Sequence, residues 1–203
     1  MSLVQGPIYQ VAWVVDDIAA AERWFTDTFG VASWTRFDDV VFGPDSCTYR
    51  GRPADYSIHV GIGYAGTQQL ELIQPVTGVN LYTEHLERCG PGLHHVAYLP
   101  DDFDATLADA ADRGIEVIQR GVFEGLMEFA YLDGRPGGAG AIELMRLSDD
   151  MRRFFDSLGA EASLPARRPT SVSRSGAYAP QSTGGADRSG RSRARAVRAP
   201  DRA

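Results

Sequence analysis

The sequence has no lysine; all 20 of its basic residues are arginine. Cysteine is nearly as scarce. Cys47 and Cys89 stand alone, too few for a disulfide framework and without the CxxC spacing of a thiolate zinc or redox site. No run of about 18 apolar residues occurs, so no helical membrane span is expected. The opening MSLVQGPIYQ lacks the basic and then apolar stretches of a secretory leader. These absences together point to a cytoplasmic protein with reduced thiols.

What is present is a chain of 203 residues, 43% hydrophobic and 23% charged, with a formal net charge of −7. That length supports one domain with a proper core. The charge is unevenly distributed. Residues 163–203 carry nine arginines against Asp187 and Asp201, a balance of +7, which leaves −14 on the remainder. A body this acidic is a poor nucleic-acid platform. The segment 161–203 is rich in Ser, Gly, Pro, Ala and Arg and has almost no large apolar residues. It cannot bury enough surface to offset its ordering entropy, so a disordered arginine-rich tail is predicted, either an anionic docking arm or a solvated extension.

The remainder contains an internal repeat. Gln10-Val11-Ala12-Trp13-Val14-Val15-Asp16-Asp17-Ile18 returns 85 residues later as His95-Val96-Ala97-Tyr98-Leu99-Pro100-Asp101-Asp102-Phe103. Each copy is a short apolar strand that runs into an Asp-Asp pair, and aspartate is a good helix N-cap because its carboxylate accepts from the free amides of the first turn. A helix is predicted after each pair, ending at Gly30 and at Gly114. Strand-like segments follow at 35–42, 57–64 and 69–74, then at 116–122, 127–132 and 141–145. Both halves read βαβββ, with modules over about 6–78 and 91–147 in a domain over 1–147, and a closing helix over 148–160. The fold class is α+β: a curved mixed β-sheet enclosing a cleft, helices on the outside.

Two strands place a carboxylate among aliphatic neighbours, in Leu70-Glu71-Leu72 and Ile142-Glu143-Leu144. Burying an ionised carboxylate costs several kcal/mol, of order 5, unless it is paired or binds a metal. Strand alternation sets Glu71 opposite Leu70 and Leu72, toward whatever the sheet encloses. Gln10 and His95 start matching strands of the repeat. Alone, His95 reads as a structural histidine and Glu71 as an edge residue in water. Together, one oxygen or nitrogen donor and one carboxylate from each half read as a shared inward site. Gln10, Glu71, His95 and Glu143 make a mixed O/N set suited to one divalent Zn, Co, Mn, Ni or Fe ion.

These residues resemble the vicinal-oxygen-chelate superfamily of glyoxalase I, methylmalonyl-CoA epimerase, extradiol dioxygenases and bleomycin-resistance proteins, over about residues 6–147. The stretches 86–98, 67–75 and 131–133 with Ile142-Glu143-Leu144 are most similar to the epimerase type. The resemblance implies metal ligands at Gln10, Glu71, His95 and Glu143, with glutamine where epimerases usually carry histidine. The quartet is similar to that of animal glyoxalase I, yet the arginine which binds a glutathione carboxylate there is Val14 here. The resemblance also implies two acid/base groups, Glu143 and, in place of a usual glutamate, His59. A half-exposed strand histidine is the plain alternative for His59. His94, one residue before His95, should face the other way.

The function implied is that of a metal-dependent isomerase or epimerase acting on a small α-carbonyl or 2-acyl thioester substrate through an enolate. The alternatives are a glyoxalase-like lyase on a non-glutathione thiol adduct and a non-catalytic drug or metabolite binding protein. An Fe(II) oxygenase is disfavoured by one histidine and two carboxylates. The partners expected are a small-molecule substrate and a second copy in a homodimer, with Phe154-Phe155 at its interface; neither membrane nor nucleic acid is expected.

Overall fold

The computed structural model describes residues 2–162; the arginine-rich segment lies outside the described residues. The elements run β1 (Gln10–Val14), α1 (Ile18–Phe29), β2 (Trp34–Phe42), β3 (Cys47–Tyr49), β4 (Arg52–Pro53), β5 (Tyr56–Ala65), β6 (Gln68–Thr77) and α2 (Leu81–Cys89). They continue β7 (Gly92–Tyr98), α3 (Phe103–Asp112), β8 (Val117–Phe123), β9 (Met127–Asp133), β10 (Ala141–Leu147) and α4 (Asp149–Ala162). The repeated aspartates cap their helices alike: Asp17 accepts from the Ala20 amide and Asp102 from the Ala105 amide, each at 2.9 Å. α1 ends on Gly30 at φ 70°, a left-handed position that glycine adopts without a Cβ penalty.

All ten strands form one sheet in the order β2-β5-β6-β1-β7-β10-β9-β8-β3-β4. β1 runs parallel to β6 and β7 parallel to β10, while β1 and β7 meet antiparallel at the centre. The modules are thus joined edge to edge about the β1–β7 seam. Their symmetry is broken in one place. Residues 43–55 connect β2 to β5, where residues 124–126 connect β8 to β9. The longer link carries the β3–β4 hairpin, and β3 pairs with β8 of the other module.

Alternation separates the two faces of the sheet. Leu70 and Leu72 pack with Ile18 and Phe25 of α1, while Leu132 and Leu144 pack with Phe103 and Ala110 of α3. α1 and α3 therefore cover the outer face. The concave face holds the largest core cluster, and α2 and α4 contribute Leu81, Tyr82, Met151 and Phe155 to it. α2 went unrecognised in the sequence, though Asn80 caps it by accepting from the Tyr82 and Thr83 amides at 2.9 Å. Phe154 and Phe155 do not form the exposed pair anticipated for a dimer interface. Phe155 is buried on the concave side and Phe154 packs on Phe37 at a 6.0 Å ring separation. No helix among the described residues is long and apolar enough to cross a membrane. Cys47 is free and buried, Cys89 free and exposed.

Candidate metal centre

Register across the β1–β7 seam builds the site. In one row of cross-strand neighbours stand Tyr64, Gln69, Gln10, Ala97, Glu143 and Tyr131; in the next stand Ile62, Glu71, Ala12, His95 and Ala141. Directly paired residues share a face, so Gln10, Glu71, His95 and Glu143 all point into the concavity. Each module supplies a small residue between the donors, Ala12 between Glu71 and His95 and Ala97 between Gln10 and Glu143. Both alanines are fully buried, and larger side chains there would fill the space on which the donors converge.

The donor atoms cluster tightly. His95 Nε2 lies 3.1 Å from Glu143 Oε2 and 3.4 Å from Glu71 Oε2. One ligand atom from each of Glu71, His95 and Glu143 falls within 4.8 Å of the others. Burial alone would lower the His95 pKa, but Glu143 and Glu71 outweigh it and carry it up to about 9. Burial pushes the Glu71 carboxyl up against the opposing pull of His95. Tyr82 and Tyr131, whose hydroxyls sit 2.8 Å apart, are held protonated far above the usual tyrosine range by burial and by Glu143.

Gln10 is aimed by a chain of hydrogen bonds whose direction is forced. Tyr64 donates its hydroxyl proton to the Phe155 carbonyl of α4 at 2.9 Å. It can therefore only accept from Gln69, whose Nε2 is 2.7 Å away. Gln69 is left to offer Oε1 to the Gln10 Nε2–H at 2.8 Å. The Gln10 amide oxygen must then face the cluster. His95 is held from behind in a similar way. A β-bulge beside Ala12–Trp13 interrupts alternation in β7, so His94 does not turn away but packs with its Nδ1 2.8 Å from His95 Nδ1. Burial, with His95 and His85 adding to it, drives the His94 pKa well below its usual value. Neutral His94 bonds the Leu81 backbone and accepts the His95 Nδ1–H, which leaves Nε2 toward the carboxylates.

Among the described residues, five buried side-chain polar atoms lack a hydrogen-bond partner, and three of them are Gln10 Oε1, His95 Nε2 and Glu143 Oε2. A buried atom left so, as Gln10 Oε1 is, costs about 1–3 kcal/mol, while His95 Nε2 and Glu143 Oε2 answer each other only as an ion pair at 3.1 Å. The tight Glu71–His95–Glu143 cluster, with an unpartnered buried Gln10 oxygen on the same face, is a donor set a divalent cation would satisfy, so the residues present fit a metal. Sequence reasoning missed Gln69, Tyr64 and the tyrosine pair. Alternation on β6 was the available signal for Gln69, which stands two residues before Glu71 and so shares its face.

His59 is not brought to this cluster. Ile58, Val60 and Ile62 of β5 line the cleft, and His59 between them faces outward. Its Nδ1 accepts from the Asp39 amide at 3.1 Å and lies 3.4 Å from Asp38 Oδ1. The turn from β5 into β6 sets this parity, pairing Ile62 rather than His59 with the strand position of Glu71.

Two βαβββ modules that meet at a seam, with one oxygen or nitrogen donor and one carboxylate from each half, define a class of paired-module proteins. The chain belongs to the glyoxalase/bleomycin resistance protein/dioxygenase superfamily, whose sequence profile matches residues 9–131. It is 29% identical over 98 residues to the uncharacterized protein YqjC of Bacillus subtilis, covering 47% of this chain and 70% of that one. In structure it is similar to methylmalonyl-CoA epimerase from Mycobacterium tuberculosis, with a TM-score of 0.54 at 19% identity over 75% of this chain and 94% of that one. A hypothetical protein of Bacillus halodurans is similar at TM-score 0.53 and 13% identity, over 70% of this chain and 95% of that one. At these identities the structural likeness concerns the fold.

Proposed function

We propose that this chain is a metal-dependent isomerase or epimerase that moves an α-proton of an α-carbonyl compound through an enolate. One observation carries the reading: Gln10, Glu71 and Glu143 line an apolar cleft, and His95 Nε2 stands against both carboxylates at 3.4 and 3.1 Å. Gln10, Glu71, His95 and Glu143 would hold one divalent ion, Zn, Co, Mn, Ni or Fe. When bound, such an ion supplies Lewis acidity to two neighbouring substrate oxygens and stabilises the negative charge of an enolate.

The protein's own groups do the rest. Glu143 is 3% exposed and lines the cleft, where its carboxylate would take the α-proton and return it. Apolar walls exclude the water that would quench the enolate. With His59 turned outward, the carboxylates that line the cleft are Glu71 and Glu143, both of them proposed metal ligands. If Glu143 acts as the single base, it can pass the proton to the adjacent carbon, as an isomerase requires, whereas inversion at the α-carbon needs delivery to the opposite face by a second group. That favours the glyoxalase-like lyase or isomerase reading over two-base inversion as the second choice.

The experiment is solvent deuterium incorporation at the α-carbon of a panel of α-hydroxy ketones, α-keto compounds and 2-acyl thioesters, followed by proton NMR with Co(II)-loaded protein. Exchange that disappears in Glu143→Gln while cobalt stays bound supports the reading. Failure to bind cobalt at all would favour a non-catalytic binding protein instead.

A further inference from the structure

We infer that the natural substrate is an uncharged, apolar α-oxygenated compound with a branched or extended hydrocarbon arm, and not a carboxylated acyl-CoA thioester. This rests on the proposed chelation of two substrate oxygens at the donor cluster and names what the remainder of the substrate must be.

The cavity beside the donors has about 70 Å³ of free space, room for ~5 water-sized groups. Apart from the two carboxylates and Gln10, its polar lining is limited to Tyr82 and Tyr131, whose hydroxyls are already bonded to each other. The walls are phenylalanine, methionine and aliphatic side chains, with no arginine or lysine among the described lining residues. Two carboxylates and one divalent cation sum to neutrality, so nothing is left to balance a carboxylate on the substrate arm. Burying that charge unpaired is strongly unfavourable.

The approach has the same character. Phe37, Val40, Phe123 and Met151 line both this cavity and an outer groove of about 710 Å³. The groove carries Asp38, Asp39, Glu124 and Asp150 and no cation among its described lining residues. Arg153, which pairs with Asp150, does not line it. A polyphosphorylated carrier would meet like charge over the whole approach. Arginines do line a different groove, by α2. There Arg50 pairs with Glu84, Arg88 with Glu84 and Arg135 with Asp133. That groove touches His94 and His95 but none of Gln10, Glu71 and Glu143, so of the four donors a ligand held there would meet His95 alone.

The test uses the full chain loaded with Co(II), whose visible absorption reports bidentate hydroxamates displacing solvent from the ion. Pentanohydroxamate and succinate monohydroxamate differ chiefly in ending on an ethyl group or a carboxylate. Pentanohydroxamate is expected to bind at least tenfold more tightly, and millimolar coenzyme A is expected to leave the spectrum unchanged. Val40→Arg, at a half-buried position shared by the cavity and the outer groove, is expected to narrow that preference once its circular dichroism matches the parent's. Equal or tighter binding of the carboxylated probe to the unaltered chain overturns the inference and leaves the metal site standing. If no cobalt bands develop at all, the chelation reading falls, and this inference with it.

Discussion

Gln10 Nε2 donates to Gln69 Oε1 at 2.8 Å, wholly out of water, and by doing so turns the Gln10 oxygen toward His95 and Glu143. A glutamine at a metal position is ambiguous by itself, because its amide presents a donor and an acceptor of nearly equal shape. Gln69 removes the ambiguity. In Gln69→Leu, divalent metal affinity measured by isothermal titration calorimetry is expected to fall about 10–100-fold, as when other outer partners of metal ligands are removed. Unchanged affinity would rule out the orienting role.

The pKa of about 9 at His95 couples metal binding to protons. The metal-free imidazole is protonated below about pH 9, and a cation needs its neutral Nε2, so binding at pH 7 should release close to one proton. Affinity then falls about tenfold for each pH unit below 9. Calorimetry in two buffers with different ionisation heats measures the release. In the metal-free protein the sign is opposite. The raised pKa adds stability that is complete below the unfolded value of about 6.5 and fades as pH rises through 9.

Saturating metal should relieve the unpaired cluster and bind the folded state selectively. At 100 times Kd the stabilisation is about 2.7 kcal/mol, or roughly 5–10 °C in Tm for a domain of this size. Glu143→Gln breaks the buried pair with His95, so its metal-free form is expected to melt below the parent while its gain from metal shrinks. Scanning calorimetry with metal and with chelator separates the two effects.

Tyr64 ties α4 to the cluster through the Phe155 carbonyl and Gln69. Tyr64→Phe strands both partners and should cost about 1–3 kcal/mol. Amide hydrogen exchange should accelerate in α4 more than in the central strands, and uniform acceleration would count against a local tie.

Glu84 anchors the other helix on the concave side. Burial opposes its ionisation, but bonds from Tyr49, Arg50 and Arg88 hold its pKa down to about 2. Because the folded pKa is depressed, the stabilisation is complete above about pH 4.5 and is lost as pH falls toward 2. Glu84→Gln should flatten the acid limb of a urea-unfolding pH series between those values.

The paired-module architecture was legible because the repeat is written in local signals: alternation in the strands, an Asp cap and a glycine stop for α1 and α3. Glu71 and Glu143 stood out for a similar reason, as carboxylates flanked on both sides by aliphatic residues. α2 was not legible. Its nine residues bury only Leu81 and Tyr82 against the sheet, and a local signal it does carry, the Asn80–Thr83 capping box, was overlooked. His94 defeated simple alternation because a bulge, which depends on the partner strand, shifted the count.

By itself the sequence determined which residue types face inward on each strand and how many donors each half contributes, because those follow from a period of two and the cost of a buried charge. Only the tertiary structure decided whether those donors meet. That depended on the antiparallel register of β1 against β7 and on the turn that sent His59 outward. It also depended on α4 bringing the Phe155 carbonyl to Tyr64. Each of these is a contact between segments distant in the chain, whose geometry is set by packing rather than by local preference.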